Sequence, residues 1–283
     1  MYLNSQEFEE CWLLTRSFAH GGVSAYIVGA SRTGKTTFMA NLANSILRNN
    51  PSETIFWRGL FSCQWTYFPL NKVKLLLSPL TSYAWGDLTK GCTVNIEDYV
   101  KVAYCYSPED YLKEAEKGTV NVFHMPKDLL ADFLQCLNQR YSTDWVSVFF
   151  DEIQEVAPEN AQGKEWHFVR RLGEQVGQLA KRWVSFYCAS QSYTQVSYFI
   201  KTHMQYWVFM PKALKPSSRN FRVYQRHIDN LSLGWCCIEG KEGFADVSFS
   251  MIKPYAILTV KEEPLKVGEH EYEEEAALNL ATA

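Results

Sequence analysis

The chain has 283 residues, 47% hydrophobic and 21% charged, a balance that excludes general disorder and suits one large α/β domain with a small appendage. A net charge of −3 excludes a generally basic nucleic-acid coat, although an acidic terminus can hide a local basic stripe from the sum. The first residues carry no basic, apolar leader pattern, and no apolar run approaches the ~20 residues that span a bilayer, so a cytoplasmic protein without membrane association is expected. The eight cysteines form no C-x-x-C pair, and none stands at zinc-ligand spacing with a histidine. Several lie within apolar runs, where cysteine acts as a small hydrophobe, and a reducing setting follows. Aromatic residues make up 15% of the chain, which points to a large aromatic core rather than a base-stacking surface.

Residues 1–22 carry the spacing of a short amphipathic helix, about Ser5 to Phe18, closed by Gly21-Gly22. Val23 to Val28 is β-prone and apolar. It leads into Gly29-Ala30-Ser31-Arg32-Thr33-Gly34-Lys35-Thr36, which fits G-x-x-x-x-G-K-[ST]. Thr37 to Arg48 follows at helical spacing. Strand, glycine loop and helix together predict a phosphate site: glycines let the backbone wrap a phosphate, and amide N–H groups at the helix start face its charge. Lys35 is placed for the β- and γ-phosphates of a nucleotide and the Thr36 hydroxyl for Mg²⁺.

Glu53 to Arg58 reads as a second strand. Residues 59–98, with Trp65, Tyr67, Phe68, Val73 to Leu77 and Trp85, read as an insertion with its own apolar packing. Val100 to Tyr106 is a predicted strand, and Ser107-Pro108-Glu109-Asp110 a helix start, with serine at the N-cap and proline in the first turn. That helix is expected to end at Gly118. Strand Thr119 to His124, helix Lys127 to Tyr141 and strand Trp145 to Phe150 continue an alternation that predicts a parallel sheet covered on both faces. The last strand ends in Asp151-Glu152, at the edge where open α/β sheets place ligands. Behind a phosphate loop, Asp151 is expected to hold Mg²⁺ and Glu152 to deprotonate the attacking water.

A helix over Gly163 to Ala180 carries Arg170 and Arg171, with Lys181 and Arg182 just beyond it. The strand Trp183 to Ala189 ends in Ser190-Gln191, a polar edge able to sense the γ-phosphate or the water. A helix from Thr194 to His203 and a strand from Gln205 to Met210 complete the alternation. Lys212, Lys215, Arg219, Arg222 and Arg226 make the next segment the most basic of the chain, with helical spacing through Tyr224, Ile228 and Leu231. Two β-runs, Trp235 to Ile238 and Phe244 to Phe249, flank a turn, Lys253 to Val260 adds a further candidate strand, and an acidic tail ends the chain.

The loop Gly29 to Phe38, the strand Phe149-Phe150-Asp151-Glu152, the basic helix and the strand end Ala189-Ser190-Gln191-Ser192-Tyr193 together resemble the FtsK–HerA group of phosphate-loop ATPases, in particular its viral genome-packaging branch. The resemblance covers about residues 23–210 in motif order. It implies a P-loop NTPase fold of RecA/ASCE-like type, a mostly parallel sheet with helices on both faces plus a small C-terminal β appendage. The implied domains are an N-terminal helix (1–22), an ATPase core (23–210, with the 59–98 insertion), a basic helix and β-hairpin (211–260) and an acidic tail (261–283). The implied activity is ATP hydrolysis, with Gly29 to Thr37 binding nucleotide, Lys35 on the phosphates, Thr36 and Asp151 on Mg²⁺, Glu152 as catalytic base and Gln191 as sensor. Family members are rings, commonly hexamers, acting on double-stranded DNA and completing each site with a neighbour's arginine, for which Arg170, Arg171 and Arg182 are candidates. Arg170 faces Glu174 at i,i+4, whereas Arg171 faces Gln175 and is expected to be freer. No winged-helix DNA-binding domain and no N-terminal barrel is evident. A nucleotide or small-molecule kinase, and a nucleotide switch or assembly factor like the zonular occludens toxin proteins, remain as alternatives.

Overall fold

The structure of the protein, a computed structural model, describes residues 6–17, 19–217 and 220–263. Ser24–Val28 (β1), the strand ahead of the glycine loop, is buried along its whole length. Ala25 and Ile27 enter one core while Tyr26 and Val28 enter another on the opposite side. A strand with both faces covered must be apolar throughout, which is why its sequence reads as a run and not as an alternation.

The loop leads into α1 (Lys35–Asn49), then β2 (Thr54–Arg58), β3 (Val73–Leu77), β4 (Ser82–Asp87), β5 (Cys92–Thr93) and β6 (Lys101–Tyr104). Next come α2 (Pro108–Glu114), β7 (Val120–Phe123), α3 (Leu130–Gln139), β8 (Val146–Phe150), α4 (Gly163–Leu179), β9 (Val184–Ser190), α5 (Tyr198–Lys201) and β10 (Tyr206–Phe209). The described chain closes with α6 (Gln225–Asp229), β11 (Trp235–Glu239), β12 (Phe244–Ser248) and β13 (Leu258–Glu263).

Ten strands form one sheet in the order β12-β11-β10-β1-β9-β8-β2-β7-β3-β6. The strands from β10 to β6 are parallel, and the hairpin β11–β12 adds two antiparallel strands beside β10. Helix α1 covers one face with Phe38, Leu42 and Ile46. Helices α2 to α5 contribute to the core on the other, through Tyr111, Phe133, Leu172 and Ile200 among others. Helix α2 starts with a capping box, Ser107 with Asp110, and has Pro108 in its first turn, as its sequence predicts. It stops at Glu114, four residues short of Gly118.

Several expectations need correction. No helix spans the described part of Ser5 to Phe18: Phe8–Glu10 is a single 3-10 turn, and the rest is turn and extended chain laid over the sheet. Cys11 and Leu13 are buried there, and the Tyr187 hydroxyl donates to the Leu13 carbonyl at 3.0 Å, so tertiary packing sets the path. The 59–98 stretch is not a separately packed insertion, because β3 is an interior strand of the main sheet and Trp65 and Phe68 join the main core. The Lys127 to Tyr141 helix is a 3-10 turn followed by α3. The Thr194 to His203 helix is split by Ser197, which caps the four-residue α5. Among the described residues of the basic segment, only the five of α6 are helical. The C-terminal β-residues divide: β11–β12 extend the main sheet, while β13 returns to β4 in a small antiparallel sheet, β13-β4-β5. Arg219 and the acidic tail beyond Glu263 lie outside the described residues. No helix among the described residues is long and apolar enough to cross a membrane.

Candidate nucleotide site

Strand order decides what can meet at the sheet edge. Strands β1, β9, β8 and β2 are consecutive and parallel, so the segments that leave their C-terminal ends share one edge. Those segments begin with Gly29, Gln191, Asp151 and Gly59. The acidic strand is therefore one strand removed from the glycine-loop strand, and Gln191 leaves the strand between them.

The loop needs its glycines for space and conformation. A Cβ on Gly29 would lie 2.5 Å from Met210 Cβ and 2.7 Å from Thr33 Oγ1, and Gly34 has φ +94°. Lys35 folds back, its Nζ donating to the carbonyls of Gly29 at 2.8 Å and Ala30 at 2.9 Å. Thr33 Oγ1 also donates to the Ala30 carbonyl, at 2.8 Å. Burial lowers the Lys35 pKa, against the opposing pull of Asp151 and Glu152. Behind the loop, Phe38 of α1 meets Phe249 edge-on at 5.4 Å, and Asn41 Nδ2 donates to the Ser250 carbonyl at 2.7 Å. The segment after β12 thus braces the helix that carries Lys35 and Thr36.

Thr36 Oγ1 donates to Asp151 Oδ2 at 2.9 Å. Asp151 is 5% exposed, and burial pushes its carboxyl above the usual range, with the Thr36 hydrogen bond opposing. Its other oxygen accepts the Glu152 N–H at 3.1 Å. Glu152 sits in the left-handed region, φ 53° and ψ 52°. For a residue with a Cβ that conformation costs on the order of 1–3 kcal/mol and points to a positional demand on this side chain. Gln191 Nε2 donates to Glu152 Oε1 at 3.3 Å. The hydroxyl and carboxylate of Thr36 and Asp151 are hard oxygen donors in mutual contact on a buried acid, a set that fits Mg²⁺.

The sequence matches no family model, and no curated protein matches it. Among solved structures, the chain is similar to the genome packaging NTPase of Sulfolobus turreted icosahedral virus 2 in complex with sulfate, at a TM-score of 0.55 and 10% identity over 82% of this chain and 98% of that one. It is also similar to the bacterial conjugative coupling protein TrwB, at a TM-score of 0.55 and 10% identity over 83% of this chain and 86% of that one. This is the P-loop NTPase fold. In this fold, β1 and α1 flank the glycine loop, β8 leads into Asp151-Glu152 and β9 leads into Gln191.

The same edge of this P-loop fold holds groups that the sequence did not single out. Arg58, at the end of β2, places a guanidinium nitrogen 3.7 Å from Glu155, and Glu155 follows Glu152 by one 3-10 turn. Burial raises the Glu155 pKa, as does its hydrogen bond to Glu152, while burial lowers that of Arg58. With Ser62, His124 and the acidic pair, these two residues line a cavity of about 290 Å³. A charged residue closing a buried parallel strand was the available signal for Arg58, but its pairing with Glu155 depends on β2 lying beside β8.

The three candidate arginines do not converge on the loop of their own chain. Arg170 pairs with Glu174 at 3.0 Å and lies over the Trp166 ring. Arg171 is not freer: Asp132 and Gln135 of α3 both accept from its guanidinium, the latter at 3.0 Å. These partners come from another helix, so i,i+4 spacing along α4 does not reveal them. Arg182 is exposed at the N-terminal end of β9, the edge opposite the loop.

Proposed function

We propose that this chain is an ATP-hydrolysing P-loop motor that works as a ring on double-stranded DNA, of the kind that packages a viral genome. The observation that carries the reading is the connected set Thr36–Asp151–Glu152–Gln191, in which a buried acid, an adjacent carboxylate and an amide from the intervening strand face one loop. The likeness to a genome packaging NTPase solved with ATP-gammaS and with AMPPCP, and to the coupling protein TrwB, supports it.

In this reading Gly29, Ala30, Ser31, Arg32, Thr33, Gly34 and Thr37 supply the backbone cradle. Lys35 exchanges its two loop carbonyls for the β- and γ-phosphates of ATP. Thr36 and Asp151 hold Mg²⁺, which when bound neutralises charge developing on the phosphates. Glu152 accepts the proton of the attacking water, and the Gln191 amide orients that carboxylate through Oε1. Arg58 tempers the repulsion between Glu152 and Glu155. A neighbouring subunit's arginine, drawn from Arg170, Arg171 and Arg182, completes the site. The exposed cations Lys212, Arg222 and Arg226 offer phosphate contacts for DNA.

The test is ATP turnover by the wild-type chain with no acceptor present, with and without double-stranded DNA, beside imaging of the assembly. DNA-stimulated turnover by a ring, lost in Lys35→Ala, is the expected result. Turnover only with a phosphoryl acceptor points to a kinase, and binding without turnover points to a switch; either contradicts the proposal.

A further inference from the structure

Beyond the nucleotide loop, one cluster of metal-ligating side chains is brought together by tertiary structure alone. Cys237 and Asp246 are directly paired across β11 and β12, so their side chains leave the hairpin on the same face. His227 reaches them from α6, its Nε2 lying 2.8 Å from Asp246 Oδ1. Taking one donor atom from each of the three, all lie within 4.8 Å of one another. No sequence motif announces the set, because two of the three meet through strand pairing.

Independent contacts fix the frame around it. Glu239 of β11 accepts the backbone N–H groups of Arg222 at 2.6 Å and Val223 at 3.1 Å, tying the segment before α6 to the hairpin. Gln225 Nε2 donates to the Ala213 carbonyl at 2.9 Å, which anchors the start of α6. Phe244 walls the imidazole edge-on at 5.5 Å. Cys237 is fully buried, whereas the His227 side chain is 31% exposed, which leaves one side of the cluster open to water.

We propose that His227, Cys237 and Asp246 form a binding site for a borderline divalent cation of the Zn²⁺ type, with water as the fourth ligand on the open side. The donor set of imidazole nitrogen, thiolate sulfur and carboxylate oxygen suits Zn²⁺ and not Mg²⁺, which takes oxygen ligands and an octahedral shell. Binding forms metal–N, metal–S and metal–O bonds. The Cys237 thiol gives one proton to solvent, and His227 carries its remaining proton on Nδ1 so that the Nε2 lone pair meets the ion. The bound ion would clamp α6 to the hairpin whose following segment, through Phe249, supports the loop helix. The inference does not depend on the nucleotide reading, since none of the three residues belongs to that site and metal binding is read without turnover.

The experiment titrates the chelator-treated full chain with Co²⁺ and then displaces it with Zn²⁺. The wild type should develop a thiolate-to-cobalt charge-transfer band that saturates at one equivalent and is bleached by Zn²⁺, and Zn²⁺ should raise Tm. Cys237→Ser should abolish that band. His227→Gln, at a partly exposed ring, should weaken binding by about tenfold or more and serves as the second variant if the serine change unfolds the protein. Absence of the band in the wild type at excess Co²⁺ overturns the proposal. So does a band unchanged in the variants, which would place the ion on other cysteines.

Discussion

Thr36 Oγ1 donates to Asp151 Oδ2 at 2.9 Å across 115 residues of chain, joining the first turn of α1 to the end of β8 over the intervening edge of β9. The contact ties the phosphate loop to the acid strand, and it leaves a carboxylate in a place where burial disfavours its charge. In the proposed reading, stability and function therefore pull in opposite directions at Asp151.

An acid whose pKa rises on folding stabilises the fold when protonated, and that contribution is lost as pH rises through the folded value. Asp151 is raised, chiefly by burial, so at neutral pH its ionised form opposes folding. Asp151→Asn can keep both hydrogen bonds, with its carbonyl accepting from Glu152 N–H and its amide donating to the Thr36 hydroxyl. The variant should melt higher than wild type in the absence of nucleotide while losing Mg²⁺-dependent nucleotide binding. Calorimetry at neutral pH and a fluorescent-nucleotide titration check the two halves, and a lower Tm would contradict the argument.

His124, after β7, is half-buried beside Tyr83, whose hydroxyl lies 2.7 Å from Nδ1. Burial, aided by the Arg58 charge, lowers its pKa from 6.5 to about 4. Glu262, 3.6 Å away and largely solvated, does not offset this. The folded state thus binds fewer protons than the unfolded one between those two values, and stability falls as pH drops from 6.5 toward about 4. His124→Gln should flatten that limb of the profile. Urea unfolding at a series of pH values measures it; an unchanged slope would rule out His124 as its source.

Arg16 and Glu53 form a bidentate pair at 2.6 and 2.7 Å, with Glu53 fully buried and also accepting from Ser147 at 2.6 Å. Removing one member leaves the other charge without compensation, which costs about 3–5 kcal/mol. Arg16→Met should fall in that range by urea unfolding, and the double change Arg16→Met with Glu53→Leu should cost less than Arg16→Met alone. Additive losses would mean that the pair is not a unit.

Much of the sheet is legible in the amino-acid sequence. The strands β1, β8 and β9 are apolar runs because both faces are covered, and the glycine loop and acidic pair carry their chemistry within a few adjacent residues. What stays hidden depends on contacts between distant segments. Phe8, Cys11 and Trp12 are apolar at helical spacing, yet packing on the sheet buries Cys11 and Leu13 along an irregular path. Val73 to Leu77 is visible as a run, but nothing local tells that β3 lies between β7 and β6. Arg58, Glu155 and the cluster of His227, Cys237 and Asp246 emerge only once strand order is known. Arg171 looks unpaired along its own helix because Asp132 belongs to another.

The most direct test of the account is the turnover of Glu152→Gln. An amide keeps the shape and the contact with Gln191, yet it cannot take a proton from water. The variant should bind Mg²⁺·ATP as tightly as wild type while its hydrolysis rate falls by roughly 10²–10⁴-fold. Turnover equal to wild type in a folded Glu152→Gln protein would contradict it and place the base elsewhere.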